Sequence, residues 1–183
     1  MPPEPRNSVT VAGLTSDCPH RMVGLVPTSD VQALLAPFLA WLGVWEGEGT
    51  GRWSEPPFRY RERLALQAVP GRAVISWDQR TEVLGTGELS HSERGYLRLL
   101  PGGEVELVLA IPAGYTEIQV GRLEGGRLDL SPRVLGVTPA ARRLDRVGRR
   151  LQLEGAELMH EVLIAVGEVD PAPHVLSRLR RQA

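Results

Sequence analysis

Between residues 43 and 167 the sequence is a succession of short apolar runs separated by glycine-bearing turns, with no segment long enough for a crossover helix. Parallel strands need a crossover of about a dozen residues or more, usually a helix. Glycine favours hairpin turns because it adopts positive φ without a steric cost. Such turns are predicted at 101–103, 124–126, 147–149 and 154–156. The region is therefore predicted to form an antiparallel all-β fold of about ten strands.

Several of these runs alternate between two faces, as half-buried strands do. In "YTEIQV", Thr116, Ile118 and Val120 share one face and the intervening residues share the other. Ten antiparallel strands can protect their edges by closing into a barrel, or they can pack as a two-sheet sandwich with a solid core. The pattern leaves both architectures open. A closed ten-stranded barrel would enclose a larger cavity than an eight-stranded one.

The N-terminal part of the chain lacks this strand-like pattern. Residues 1–28 contain five prolines and no hydrophobic period, which predicts a flexible tail. In "TSDVQALLAPFLAWLG", helical spacing of apolar residues such as Val31 and Leu34 predicts a short helix, which Pro37 should break. Residues 29–183 are predicted to form one domain.

The C-terminal stretch "DPAPHVLSRLRR" is predicted to form a second short helix. Asp170 can cap it and Pro171 suits its first turn. Val175 and Leu179 are one helical turn apart and could pack the helix onto the rim of the barrel. His174 would then lie early in this helix, where its imidazole could reach a ligand in the mouth of the barrel.

Composition excludes several classes of function. Hydrophobic residues make up 42% of the chain and charged residues 23%, which is typical of globular proteins. A formal net charge of −1 predicts no binding to nucleic acid or to an anionic membrane. The single cysteine, Cys18, excludes an intrachain disulfide, and with no secretory signal pattern we expect a reducing, cytoplasmic setting. No seam in the sequence predicts a homodimer, and dimerisation stays open.

The run "LGVWEGEGTG" contains the pattern G-x-W-x-G-x-G, formed by Gly43, Trp45, Gly47 and Gly49. Alternation places all four on one face of the first strand. Glycine weakens a strand unless another group approaches closely or the strand bends sharply. The pattern therefore indicates either a tightly coiled strand plugged by the tryptophan or a strand whose glycines face a bulky planar ligand. A phosphate-binding loop is excluded, because no helix follows the glycines.

This first strand resembles the corresponding strand of the nitrobindin family. So do "PFRYRERL", "HSERGYLRLL", "VELVLAIPAGYTEIQVG" and "PHVLSRLRR", in the family's order, from about residue 34 to 181. The resemblance implies a ten-stranded β-barrel related in shape to fatty-acid-binding proteins. It implies one ferric haem b per chain, bound at the mouth and held by a histidine close to the C-terminus. It also implies reversible binding of nitric oxide and isomerisation of peroxynitrite to nitrate.

Carried over residue by residue, the resemblance assigns His174 as the axial ligand of the haem iron. His91, in "HSERGY", matches a pocket histidine that would contact the haem edge or a propionate. Where relatives carry a threonine that contacts haem, this chain has "RWSEPPF", and Ser54 is the nearest substitute. Ile111 occupies a position that is often histidine in relatives. Both departures predict a drier or differently shaped pocket.

Two other functions fit the same fold. One is a haem-free carrier of a small apolar ligand, such as a fatty acid, and the other is a structural module whose cavity is too small for any ligand. His160 alternates with Leu158 and Val162 in the last long strand-like run, but the sequence does not show whether their shared face points inward.

Overall fold

The computed structural model describes residues 28–52 and 57–183. Apart from residue 28, the predicted tail lies outside the described residues, as does Ser54. The chain begins with α1 (Thr28–Leu35) and a 3-10 helix (Ala36–Trp41). The strands that follow are β1 (Gly43–Gly51), β2 (Phe58–Ala68), β3 (Val74–Val83), β4 (Leu89–Leu99), β5 (Glu104–Ile111), β6 (Tyr115–Glu124), β7 (Arg127–Val137), β8 (Arg146–Glu154), β9 (Glu157–Ala165) and β10 (Ala172–Arg181). A 3-10 turn (Pro101–Gly103) joins β4 to β5.

These strands form one closed antiparallel barrel. Each strand pairs with its neighbours in the sequence, and β1 pairs with β10 to complete the ring. At the seam, Trp45 lies opposite Leu64 of β2 on one side and Arg181 of β10 on the other. Closure leaves no terminal strand without a neighbour, although β7 pairs with β8 only from Arg127 to Leu130. The predicted barrel is confirmed, and the two-sheet sandwich is wrong.

The predicted C-terminal helix is wrong, because residues 172–181 form β10. Val175, Ser177 and Leu179 point inward at every second position, so the same residues that suggested a helical turn satisfy a strand equally well. This segment pairs with β1 from Val175 to Arg181 and with β9 from Ala172 to Arg180. A lone helix of this length would have gained much less, because short helices are marginal in water.

Ten strands were expected, but two of the boundaries differ. The predicted turn at 147–149 does not form, because Gly148 lies inside the single strand β8. Residues 142–145 belong to the connection before that strand rather than to a strand of their own. The number of strands agrees with the prediction only because two differences cancel. The predicted turn at 147–149 divided β8 into two strands, and β10 was predicted as a helix.

The N-terminal helical segment covers one end of the barrel. As predicted from Pro37, the α-helix ends at Leu35 and continues as a 3-10 helix. Phe38 and Trp41 of this segment are buried against the barrel. The indole nitrogen of Trp45 donates a hydrogen bond to the Trp41 carbonyl oxygen at 2.7 Å. Within the described ranges, no helix has both the length and the apolar character needed to cross a bilayer.

The covered end is filled by a continuous apolar core. This core is made of leucine, isoleucine, valine and tryptophan side chains that alternate inward from nearly every strand. Its buried members are Trp45, Leu64, Leu66, Ile75, Trp77, Leu97, Leu99, Val105, Leu107, Leu109, Leu128, Leu130, Leu151, Leu158 and Leu179, together with Phe38 and Trp41 of the helical segment. This end of the barrel is therefore closed, and any ligand must enter from the opposite end.

The glycines of β1 serve the packing of the barrel wall. A Cβ on Gly47 would lie 2.0 Å from the carbonyl oxygen of Arg178, so β1 and β10 could not approach as they do. A Cβ on Gly49 would lie 2.5 Å from the hydroxyl oxygen of Tyr60 and 2.6 Å from Ser177 Oγ. The tightly coiled, tryptophan-plugged strand is thus the correct interpretation, because side chains fill the space that was assigned to a planar ligand.

Candidate functional site

The open end of the barrel contains a cavity of about 540 Å³, within the range of about 300–1,000 Å³ that is usual for small-molecule sites. Inward-facing side chains of most strands line it, together with residues 140–144 of the β7–β8 connection. The predicted alternative of a barrel without a usable cavity is therefore wrong. The lining divides into a mouth, which is mainly apolar, and a floor, which is polar.

The mouth offers an aliphatic and aromatic surface. Its apolar lining consists of Phe58, Ile111, Val147, Val162, Ile164, Val166 and Val175. Transfer of a flat apolar ligand from water onto such a wall is favourable by roughly 25 cal/mol per Å² of buried surface. The lining of the mouth therefore suits an apolar ligand.

His174 lies in this mouth, although it is on a strand and not on a helix. The pairing of β10 with β9 shifts register between Pro173 and Val175, so His174 occupies an irregular position in the ladder. Such bulges re-aim a side chain, and they are frequent beside functional sites. The imidazole lines the cavity and is partly buried. Burial lowers its pKa, which favours the neutral form that can donate a lone pair to a metal.

Hydrogen bonds hold the connections around the mouth in place. The Tyr115 hydroxyl donates to the Arg142 carbonyl oxygen at 2.7 Å, which fixes the β7–β8 connection against β6. The Gly167 amide donates to Asp145 Oδ2 at 2.5 Å, and this bond lowers the pKa of the Asp145 carboxyl group. Arg142 and Arg143 also line the cavity, and the Arg143 guanidinium pairs with Asp145 Oδ2 at 3.1 Å.

The floor of the cavity is formed by a set of buried polar side chains, here called the inner polar ring. Its members are Tyr60, Glu62, Gln79, Glu93, Glu117, Arg149, His160 and Ser177. The ring separates the mouth from the apolar core at the covered end. Buried polar groups are costly unless they are hydrogen-bonded, so their bonds decide what the floor can do.

One half of the inner polar ring is centred on Glu62. His160 Nδ1 lies 2.7 Å from Glu62 Oε1, and because a carboxylate accepts, Nδ1 carries the hydrogen. The Ser177 hydroxyl donates to Glu62 Oε2 and accepts from the Tyr60 hydroxyl at 2.7 Å. Burial and the nearby charge of Glu62 raise the pKa of Tyr60, so this phenol stays protonated.

The other half of the inner polar ring is centred on Arg149, whose side chain is only 2% exposed. Its guanidinium donates to Glu93 Oε2 at 2.5 Å and also to Glu117 Oε2. The Trp77 indole donates to Glu93 Oε1 at 2.8 Å. Burial alone would raise the pKa of Glu93, but the charge of Arg149 and the hydrogen bond from His91 outweigh it and lower the pKa to about 2. The same carboxylates outweigh burial and raise the pKa of Arg149.

Comparison with known proteins identifies the family. The family model described as "THAP4-like, heme-binding beta-barrel domain" matches residues 34–181. Peroxynitrite isomerase 1 of Rhodococcus jostii (strain RHA1) is 35% identical over 156 residues, which are 85% of this chain and 86% of that protein. Peroxynitrite isomerase 2 of Mycobacterium avium (strain 104) is 34% identical over 162 residues, 86% of this chain and 99% of that protein.

A solved structure agrees with this assignment. The crystal structure of Rv2717c from M. tuberculosis has a TM-score of 0.74 and 31% sequence identity to this chain. The match covers 87% of this chain and 99% of that chain. The chain belongs to the nitrobindin family. The matched residues of the nitrobindin barrel include all ten strands and the described residues of the cavity.

Some of the predicted site residues line the cavity of the nitrobindin barrel, and others lie away from it. His174 and His91 both line the cavity, and His91 Nε2 lies 3.2 Å from Glu93 Oε2 with its side chain 39% exposed. Ile111 is also part of the lining, as the resemblance implied. His160 faces inward at the floor, which the sequence had left undecided. The glycines of β1 and Trp45 do not contact the cavity.

The sequence did not identify the charged members of the inner polar ring. Glu93, Glu117 and Arg149 look like ordinary polar positions of alternating strands. Arg149 is 32 residues from Glu117 and 56 from Glu93, so no local motif joins them. The alternation of β6 did show that Glu117 differs in face from Ile118. It did not show that the carboxylate, rather than the isoleucine, points into this nitrobindin barrel.

Proposed function

We propose that this chain binds one ferric haem b in the mouth of the barrel, with His174 as the axial ligand, and isomerises peroxynitrite to nitrate. Reversible binding of nitric oxide at the same iron is part of the proposal. The observation that carries it is a partly buried imidazole, its pKa lowered by burial, in an apolar cavity of about 540 Å³. Membership of a haem-binding family and relatives named peroxynitrite isomerase support it. The single cysteine supports a cytoplasmic setting.

The residues present fit a haem. His174 supplies a neutral nitrogen donor, and the aliphatic mouth supplies apolar surface for a porphyrin. Arg142 at the rim suits the negative charge of a propionate, whereas Arg143 already pairs with Asp145. His91 is in reach of the same space and is proposed to contact the haem edge or a propionate. Ser54 lies outside the described residues, and its proposed contact with haem rests on the resemblance alone.

The chemistry divides between the cofactor and the chain. Bound haem supplies an iron that takes up nitric oxide or peroxynitrite and promotes the rearrangement of peroxynitrite to nitrate. His174 holds and orients the cofactor through one ring nitrogen. The aliphatic wall around Val147, Val162 and Ile164 would exclude water from the bound cofactor. The positive charge of Arg142 at the rim would attract an anionic substrate toward the mouth.

The alternative function, a haem-free carrier of a fatty acid or similar apolar ligand, is not favoured. The family match is to haem-binding domains. In addition, the floor of the cavity consists of buried carboxylates, a guanidinium and an imidazole. An aliphatic tail that reached this floor would separate charged groups from any water without replacing their hydrogen bonds, which is costly. Only the mouth of the cavity suits an apolar ligand.

Stopped-flow mixing of peroxynitrite with the hemin-loaded chain tests the proposal. We expect the wild type to speed the decay of peroxynitrite and to raise the yield of nitrate relative to the hemin-free chain. His174→Ala should lose most of this effect. His91→Ala is the matched control, because it removes the other imidazole of the mouth and leaves the proposed ligand in place. Equal acceleration by the wild type and His174→Ala, or none by the wild type, would overturn the proposal.

A further inference from the structure

The inner polar ring carries more negative charge than its own cation balances. Among the described residues, its carboxylates are Glu62, Glu93 and Glu117, each no more than 4% exposed, whereas Arg149 is its single guanidinium. The charge of Arg149 lowers the pKa of Glu93 to about 2 despite its burial. An uncompensated charge in the interior of a protein is strongly destabilising. The ring therefore favours the entry of a positive charge.

The ring also presents hydrogen-bond acceptors that nothing in the described chain satisfies. Gln79 Oε1 and His160 Nε2 are buried without a hydrogen-bond partner, and both residues line the cavity. Hydrogen bonds to Glu117 reach Oε2 only, which leaves Oε1 available. His160 donates through Nδ1 to Glu62, so the Nε2 of its neutral form is an acceptor as well. Arg149 Nε is the one unpartnered donor beside them.

Buried polar atoms without partners in a native fold are explained by strain, by a catalytic role, or by a bound water, ion or small molecule. A ligand that satisfies the unpartnered acceptors and the carboxylates of the inner polar ring must donate more hydrogen bonds than it accepts and must carry positive charge. An anion is excluded by the carboxylates. A bare metal ion does not fit either, because no group of three or more His, Cys, Asp or Glu residues in the described ranges lies close enough to hold one. Several N–H donors on one small cation can instead reach acceptors that are spread around the ring.

We propose that the inner polar ring is a second binding compartment, below the mouth, for a small protonated amine such as ammonium or methylammonium. Gln79, Glu117 and His160 accept its N–H groups. The aromatic ring of Tyr60 lines the same cavity and adds favourable contact with a cation. The compartment uses none of the groups proposed to hold haem. It therefore stands or falls separately from the proposed function.

Thermal unfolding of the full-length chain without hemin tests this compartment. Ammonium or methylammonium chloride is titrated at constant ionic strength, and tetramethylammonium chloride, which has no N–H group, serves as the matched salt. We expect a saturable rise in Tm with the two N–H cations and none with the matched salt. Binding to the native state alone produces such a rise by mass action.

Two variants locate the effect. Gln79→Met removes one acceptor without touching a salt bridge, and we expect it to weaken the apparent affinity by about tenfold, as loss of a charge-assisted hydrogen bond does. Glu124→Gln changes a carboxylate that is 74% exposed on the outer surface and should leave the titration unchanged. Equal responses to all three salts would overturn the proposal, as would an unaltered affinity in Gln79→Met. No response to any cation would overturn it as well.

Discussion

The Tyr60 hydroxyl of β2 and the Ser177 hydroxyl of β10 meet 2.7 Å apart although β1 runs between their two strands. They can meet because Gly49 of β1 has no side chain, and the space that a Cβ would fill is occupied by the phenol and the serine. The bond links Tyr60 to Glu62 through the serine. One glycine of the first strand thus lets half of the inner polar ring assemble.

Replacement of Gly49 by alanine tests this relationship. The new Cβ would lie 2.4 Å from the Tyr60 ring, so the phenol must move and its hydrogen bond to Ser177 must break. We expect the free energy of unfolding to fall by about 1–3 kcal/mol, as over-packing of a tight interior does. Urea titration measures the change. Thr50→Ala, at the exposed neighbouring position, should change it by less than about 0.5 kcal/mol. An unchanged Gly49→Ala variant would contradict the packing described for β1.

Arg149→Met tests the importance of the buried guanidinium. The substitution keeps an unbranched apolar stem but leaves the buried carboxylates Glu93 and Glu117 without their cation. We expect a loss of about 3–5 kcal/mol, because breaking a buried pair leaves uncompensated charge. The control is Arg150→Met on the same strand, since that side chain is 50% exposed and its surface ion pairs contribute at most about 1 kcal/mol. Similar losses in the two variants would argue against a special role for Arg149.

The lowered pKa of Glu93 predicts a dependence of stability on acid pH. The carboxyl group titrates near 2 in the folded chain and near its ordinary value of 4.5 when unfolded, so the unfolded chain binds its proton first. Its contribution is therefore complete above about pH 5 and is lost as the pH falls toward 2, amounting to about 3 kcal/mol. Glu93→Gln should show a shallower loss of stability across this range than the wild type. Parallel pH profiles would rule out this contribution.

Much of the fold could be predicted because turns and alternation are local signals. Glycines 102, 125 and 155 adopt positive φ in predicted hairpin turns. The end of the α-helix before Pro37 also follows from local geometry. β10 was missed because Val175 and Leu179 are four residues apart, a spacing that fits one helical turn and two strand repeats alike. What decides between them is the pair of strand edges left open by β1 and β9, which only the assembled barrel provides.

The site was predictable only in part, for a related reason. His174 and His91 were found through resemblance, and the barrel brings both to one cavity. The floor was missed because polar residues were not expected inside. In β6, Ile118 faces out and is 38% exposed, whereas Glu117 is buried. Glu117 can be buried only because Arg149 reaches it from β8, and a pairing between distant strands has no trace in either local sequence.

The central claim is that the His174 imidazole binds the haem iron, and the resonance Raman spectrum of the reduced, hemin-loaded chain tests it most directly. An iron–imidazole stretching band that shifts on ¹⁵N-labelling of histidine should be present in the wild type and in His91→Ala. It should be absent from His174→Ala, whose fold is checked by circular dichroism. Retention of the band in a folded His174→Ala variant would contradict the claim, as would its loss in His91→Ala alone.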